Sequence, residues 1–99
     1  MDLYVIRRPS AWADLKELEA AGAKSARVGN EEMSDQVRWI RSYVIHEKDG
    51  RVGTFCIYLA RDEESIREHA RRVGMPADDI YRVATSVIVR DDPVMAEAA

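Results

Sequence analysis

Two runs of β-branched and aromatic residues, separated by Asp49-Gly50, constrain the fold of this chain more than any other feature. The runs are Val37–His46 (VRWIRSYVIH) and Val52–Ala60 (VGTFCIYLA), and each has the length and composition of a strand. Asp-Gly between such runs favours a tight hairpin, because a type I′ turn needs positive φ at both central residues. The sequence therefore predicts an antiparallel strand pair over residues 37–60.

A two-residue loop at Asp49 and Gly50 fixes the predicted register. One face of the pair is then almost wholly apolar and is assigned to the helix side: Ile40, Val44, Phe55, Ile57 and Leu59. The other face combines aromatic and polar side chains and is assigned to the open side: Trp39, Arg41, Tyr43, Cys56 and Tyr58. A register of opposite parity would set Phe55 beside Tyr43 and mix the faces, so the hydrophobic pattern favours the first register.

The segment before the hairpin predicts one strand and one helix. A β-rich run from Leu3 to Arg8 stops at Pro9, which lacks an N–H for the ladder. Ser10 as N-cap and Gly22 as C′ residue bracket a helix over about residues 11–21. Residues 23–36 fit no single element, although 31–36 are compatible with one further helical turn.

The segment after the hairpin predicts a second helix and a last strand. Asp62 is the N-cap of a helix over Glu63–Val73, which Gly74 ends. The inward stripe of this helix is Ile66, Ala70 and Val73, with His69 close to it. Residues 80–89 (IYRVATSVIV) predict the last strand.

The resulting order is strand, helix, strand, strand, helix, strand. This order predicts a ferredoxin-like α+β fold, a four-stranded antiparallel sheet with both helices on one face. We expect one domain over residues 1–89 and a flexible tail over 90–99. An aromatic patch on the uncovered face would be unusual for a monomer. We therefore expect a homodimer, sheet against sheet, of the dimeric α+β barrel type.

Composition narrows the classes of partner. Acids and bases are interspersed and the net charge is -3, so no concentrated basic surface is expected to bind nucleic acid. No stretch approaches the roughly 20 apolar residues that span a bilayer, and the first residues lack a secretory signal. Cys56 is the single cysteine, which fits a reducing compartment. We expect a cytoplasmic protein without a membrane partner.

Candidate functional residues are scattered, and no strong catalytic motif is present. Tyr43, Cys56, Tyr58 and Arg41 could bind an anionic or aromatic small molecule, or simply fill a dimer interface. His69, beside Glu68, has the chemistry of a general base or a metal ligand. Its alternative is a structural histidine that hydrogen-bonds a strand backbone. The predicted faces separate His69 from Tyr43, so one chain would not easily place both on one metal. No catalytic residue is assigned.

Three blocks of the sequence resemble a known family: WIRSY (39–43), CIYLA (56–60) and IREHARRVGMP (66–76). It is a family of small bacterial ferredoxin-like proteins, a domain-of-unknown-function family described as nickel-binding after a nickel-responsive member. The resemblance covers residues 37–89 and implies a dimeric ferredoxin-like fold that binds nickel or a related divalent metal, with no established reaction. The residues that match its blocks are candidate site residues: Ser42, Tyr43, Cys56, Tyr58 and His69.

Three functions stay open from the sequence. The first is a homodimeric binding protein for a small ligand, through Arg41, Ser42, Tyr43, Cys56 and Tyr58, or for a metal, through His69, Tyr43 and Cys56. Donors from both copies would relieve the shortage of metal ligands. The second is a cofactor-free enzyme, oxygenase-like or isomerase-like, which rests on fold analogy. It predicts an enclosed pocket on the order of hundreds of Å³ where a Tyr and a His converge. The third is a purely structural dimer.

Overall fold

The computed structural model describes residues 1–94, which form a four-stranded antiparallel sheet with two α-helices. The elements in chain order are β1 (Asp2–Trp12), α1 (Leu15–Arg27), a π-helical turn (Val28–Glu32), β2 (Val37–His46), β3 (Val52–Ala60), α2 (Glu63–Val73) and β4 (Asp79–Arg82). The strands lie in the order β2-β3-β1-β4. This confirms the predicted α+β class and is consistent with the ferredoxin-like fold. None of the helices within residues 1–94 is long and apolar enough to span a bilayer.

The loop of the β2–β3 hairpin has three residues rather than two. Glu47 and Arg51 close the loop through the Glu47 N–H, which donates to the Arg51 carbonyl at 3.0 Å. Gly50 has a φ of 84°, whereas Asp49 does not adopt positive φ. The Asp49 carboxylate instead accepts a hydrogen bond from the Arg51 N–H at 2.9 Å. A three-residue loop with glycine in the left-handed region replaces the predicted type I′ turn.

The predicted register is therefore wrong by one residue. Tyr43 lies opposite Phe55, and Ser42 lies opposite Cys56. The extra loop residue moves β3 by one position, and because side chains alternate along a strand, it exchanges the two faces of β3. Cys56 and Tyr58 are buried against the helices, and three side chains assigned to the helix side lie on the open face: Phe55, Ile57 and Leu59. The hydrophobic pattern favours the wrong register because both faces of β3 carry apolar side chains.

A β-bulge in β2 adds a second shift of one residue, so that Trp39 lies opposite Tyr58 rather than the predicted Ala60. The pairing is irregular between Trp39 and Arg41, so Ile40 is the extra residue and has no partner on β3. Trp39 returns to the helix side, where its ring stacks on that of Tyr58 at 6.3 Å, and its predicted place on the open face is wrong. Arg41 and Tyr43 lie on the open face, as predicted.

Strand β1 continues past Pro9 to Trp12, so its predicted end at Arg8 is wrong. The pairing with β3 is irregular between Arg8 and Trp12, and Ser10 has a φ of 49°. A proline is tolerated at such an irregularity because no ladder hydrogen bond is required of it. The Ser10 N–H donates instead to the Glu47 carboxylate at 3.1 Å.

Helix α1 begins and ends later than the predicted bounds of 11–21. Its N-cap is Asp14, whose carboxylate accepts from the Glu17 N–H at 2.9 Å. The helix passes through Gly22, where a Cβ atom would lie 3.7 Å from the Trp39 ring. That distance is an ordinary van der Waals contact, so the packing does not require glycine here, and Gly22 lies inside the helix rather than at its end. The chain then continues through the π-helical turn.

Helix α2 has the predicted bounds, while β4 is shorter than predicted. Asp62 accepts from the Ser65 N–H at 2.8 Å, and Gly74 ends the helix with a φ of 86°. The last sheet bond at β4 joins the Val83 N–H to the Leu3 carbonyl. Because β1 begins at Asp2, no partner remains for the rest of the predicted strand 80–89. Of the predicted tail 90–99, residues 95–99 lie outside the described residues.

The three-residue loop makes a specific prediction for Gly50 and Asp49. Gly50→Ala is expected to lower the free energy of unfolding by about 1–2 kcal/mol, because alanine is strained at positive φ. Asp49→Ala is expected to cost about 0.5 kcal/mol, since it loses one exposed hydrogen bond. Urea denaturation of both variants measures the difference. A type I′ turn would strain both positions, so equal losses would contradict the three-residue loop.

Candidate functional site

A cavity of about 260 Å³ lies between α1 and the helix-facing side of the sheet. Its walls are mostly apolar: Trp12, Leu18, Trp39, Val44 and Met75. These side chains come from β1, α1, β2 and the connection after α2, so only the folded chain assembles them. Trp12 and Trp39 are the two tryptophans of the chain. An apolar cavity with a few polar groups is the usual form of a small-ligand site.

A row of polar groups crosses the floor of this cavity. The Trp39 indole N–H donates to Ser42 Oγ at 2.8 Å, and the Ser42 hydroxyl donates to Cys56 Sγ at 3.0 Å. The Cys56 thiol in turn donates to Thr54 Oγ1 at 3.3 Å. The row arises because Ser42 pairs with Cys56 across the strands, and Thr54 lies two residues along the same face. Cys56 is thus a buried, free thiol within a hydrogen-bonded row.

Tyr58 lies beside the cavity with its hydroxyl already paired. The Tyr58 hydroxyl and Ser25 Oγ of α1 form a buried hydrogen bond of 2.9 Å. Burial raises the pKa of Tyr58 to about 12, although the hydrogen bond with Ser25 opposes this shift. The phenol therefore stays protonated near neutral pH and serves as a hydrogen-bonding group rather than a base.

His69 is buried between the two helices. Its Nε2–H donates to the Ser25 carbonyl at 3.0 Å, and its ring lies 5.5 Å from that of Tyr58. Burial lowers the pKa of His69, and the charges of Arg8 and Arg72 lower it further, against the hydrogen bond to Ser25. The imidazole is therefore neutral and joins α2 to the backbone of α1.

Arg8 is a functional candidate that the sequence analysis missed. It lines the cavity, is only 1% exposed, and donates from Nε to the Pro76 carbonyl at 2.6 Å. Its terminal nitrogens, Nη1 and Nη2, have no hydrogen-bond partner among residues 1–94. A signal was present in the sequence, because Arg8 continues the alternation of Tyr4 and Ile6 on the buried face of β1.

The structure divides the predicted ligand residues between the two sides of the sheet. Ser42, Cys56 and Tyr58 line the cavity under α1. Arg41 and Tyr43 lie on the open face, where the Arg41 guanidinium and the Tyr43 hydroxyl both donate to Asp92.

The predicted metal residues are not brought together within one chain. Tyr43 is exposed on the open face, Cys56 lies in the floor of the cavity, and His69 lies between the helices. Among residues 1–94, no group of three or more His, Cys, Asp or Glu side chains is placed to hold a metal ion. Divalent nickel needs several such donors, so the described part of one chain does not fit a nickel centre.

The open face of the sheet is a second candidate surface. Exposed or half-buried aromatic and aliphatic side chains cover it: Tyr43, Ile57, Leu59, Phe55 and Tyr81. The Arg7 guanidinium lies over the Phe55 ring at 4.7 Å and pairs with the Glu47 carboxylate at 2.9 Å. This face has apolar side chains at its centre and an ion pair at its edge, which is the usual arrangement of a protein interface.

The buried, neutral His69 makes the stability of the fold depend on pH. In the unfolded chain His69 takes up a proton near pH 6.5, whereas in the folded protein its pKa is lower. The unfolded state therefore binds the proton first, and the free energy of unfolding falls as the pH drops below about 6.5. The loss is at most about 1.4 kcal/mol per pH unit for one proton. Urea denaturation between pH 7.5 and 5 measures it. His69→Gln should flatten the dependence and His46→Gln, at an exposed position, should not; equal slopes in all three proteins would contradict this account.

Comparison with known proteins supports the fold and places the chain in a family. No curated protein matches it. The crystal structure of SCO4226 from Streptomyces coelicolor A3(2) is similar over 86% of this chain and 99% of that chain, with a TM-score of 0.69 and 19% sequence identity. At that identity the likeness supports the fold alone.

A family model described as nickel responsive protein SCO4226-like matches residues 4–83, well over half of the chain. The match confirms the predicted family resemblance over residues 37–83 and extends it through β1 and α1, while residues 84–89 lie outside the match. The chain therefore belongs to the SCO4226-like family of nickel responsive proteins.

Proposed function

We propose that this protein is a homodimeric, non-enzymatic binding protein that holds a small organic ligand in the cavity under α1. The observation that carries this proposal is the cavity itself, about 260 Å³ with apolar walls and one row of polar groups. Such a shape suits a ligand that buries an apolar body and makes a few directed contacts. We place this function in the cytoplasm, in keeping with the free thiol of Cys56.

The chemistry of the site favours binding over catalysis. A cofactor-free enzyme needs a base near its ligand, but Tyr58 is protonated near neutral pH and bonded to Ser25. His69 does not line the main cavity. It meets Tyr58 only at a smaller cavity of about 90 Å³, where its Nε2–H is held by the Ser25 carbonyl. The oxygenase-like or isomerase-like alternative therefore has the weaker support.

The open face supports the dimer part of the proposal. Tyr43 is 43% exposed, Phe55 39% and Tyr81 59%, and these rings lie on one side of the sheet. A second copy placed sheet against sheet would cover them and leave the ligand cavity on the outer, helix-covered side. The dimer and the ligand site would then use opposite faces of the same sheet.

Nickel binding across two copies is the second candidate function, and the family description favours it. Because the described residues of one chain do not gather a donor set, a nickel site would take donors from both copies. Tyr43 and Asp92 are oxygen groups on the open face, where two copies would meet. Such a site would exist only in the dimer.

The cavity proposal predicts that filling the cavity abolishes binding. Phenylacetate and its neutral amide, phenylacetamide, are suitable probes, and the emission of Trp12 and Trp39 reports entry because both line the cavity. We expect wild-type protein to bind at least one probe and Ala21→Phe, in the cavity wall, to bind neither. Ala20→Phe, at an exposed position of α1, is the matched control and should bind as wild type. Unchanged binding by Ala21→Phe would place the ligand elsewhere.

The dimer proposal predicts that a charge on the open face produces a monomer. Light scattering should give wild-type protein twice the 11.3 kDa mass of the chain and Ile57→Glu the mass of one chain. Leu15→Glu, on the exposed side of α1, should remain a dimer. Monomeric wild-type protein would overturn the dimer.

Titration with nickel chloride in a calorimeter tests the shared metal site, which predicts heat of binding from the dimer alone. Equal heat from wild-type protein and from Ile57→Glu would overturn the shared site.

A further inference from the structure

Arg8 is a buried cation at the centre of the sheet, and residues 1–94 offer it no counter-ion. Strand β1 lies between β3 and β4, and Arg8 is opposite Thr54. The side chain is 1% exposed, and its Nε is held by the Pro76 carbonyl. A guanidinium does not lose its proton in proteins, so this charge remains although Nη1 and Nη2 find no acceptor in residues 1–94. Burial of an unpaired charge is strongly unfavourable.

Arg7, the preceding residue, differs from Arg8 because it has a carboxylate partner. Arg7, on the open face, forms a two-bond pair with Glu47 at 2.9 and 3.0 Å. Arg8 forms no ion pair in the described chain, although it is the more deeply buried of the two. Glu19 is the acidic residue among those that line the cavity, and it is exposed on α1 rather than bonded to Arg8.

A molecule inside the cavity is placed to approach the terminal nitrogens of Arg8, which are buried in the described structure and become accessible when neighbouring side chains shift. Arg8 lines the cavity, as does Met75, the neighbour of the residue that anchors its Nε. A second copy on the open face would lie on the other side of the sheet. A ligand in the cavity can therefore supply the counter-ion that residues 1–94 do not.

The lining of the cavity restricts the chemistry of that ligand. Nη1 and Nη2 present parallel N–H groups that match the two oxygens of a carboxylate. Arg8 is the only basic residue among those described as lining the cavity, so the further oxygens of a phosphate would lack charged partners. The walls beyond Arg8 are apolar, and Trp12 and Trp39 offer flat surfaces for a ring.

We propose that the cavity binds a small monocarboxylate with an aromatic or branched aliphatic body, its carboxylate paired with Nη1 and Nη2 of Arg8. This inference rests on the proposed binding function. It adds that the ligand is negatively charged and that Arg8 binds this charge. Ser42, Cys56 and Thr54 remain available for a single polar substituent on the body. The cavity volume of about 260 Å³ limits the size of the ligand, which must be smaller than a typical drug-sized molecule.

The test compares phenylacetate with phenylacetamide, which share one shape and differ in charge. By tryptophan emission and calorimetry, wild-type protein should bind the acid at least about tenfold more tightly than the amide. Arg8→Met should remove that preference, because methionine fills similar space without charge. Arg27→Met, an exposed arginine on α1, should retain it. Arg8→Met should also melt at a higher temperature without ligand, because the uncompensated charge is gone.

The outcomes separate the inference from the binding function on which it rests. Equal affinity of wild-type protein for acid and amide would overturn the role of Arg8 and leave the binding function standing. Failure of the folded protein to bind either probe would overturn both. If Arg8→Met does not fold, the affinities of wild-type protein for phenylacetate and phenylacetamide still test the role of the charge. Arg8→Lys keeps the charge but loses the paired N–H groups, so it should bind phenylacetate more weakly than wild type.

Discussion

The left-handed conformation of Gly50 is the constraint on which the rest of the sheet depends. It allows a loop of three residues, and the loop sets the pairing of β2 with β3. Because side chains alternate, this register decides that Cys56 and Tyr58 face the helices while Phe55 faces the open side. The cavity floor and the aromatic open face depend on this turn together with the bulge at Ile40 and the pairing of β3 with β1.

Ser25 connects the elements that enclose the cavity. Its hydroxyl pairs with Tyr58 of β3, and its carbonyl accepts from His69 of α2. Both contacts are buried, where an unpaired polar group is costly, so they hold α1 against the sheet and against α2. The space left between them is the cavity, which the side chains of Trp12 and Trp39 border.

The two faces of the sheet carry different electrostatics. On the open face Arg7 and Arg41 are each paired with a carboxylate, Glu47 and Asp92. On the covered face Arg8 has no such partner among residues 1–94. A paired and partly apolar surface suits another protein surface, whereas a single unpaired cation in an apolar cavity suits a small anion. This difference is the physical basis for assigning dimer contact and ligand binding to opposite sides.

The sequence by itself determined the features that depend on neighbours along the chain. Helix α2 was predicted with its correct bounds because Asp62 and Gly74 cap it locally, and the order of strands and helices followed from local composition. Only the tertiary structure decided where β1 and β4 end, since strand ends depend on a partner strand. It also decided which face of β3 is buried, since both faces carry apolar side chains. That Arg8 has no counter-ion among residues 1–94 is visible only when every neighbouring element is in place. Helix caps and turns depend on residues that are neighbours in the sequence. Strand register, burial and charge pairing depend on residues that are far apart in the sequence.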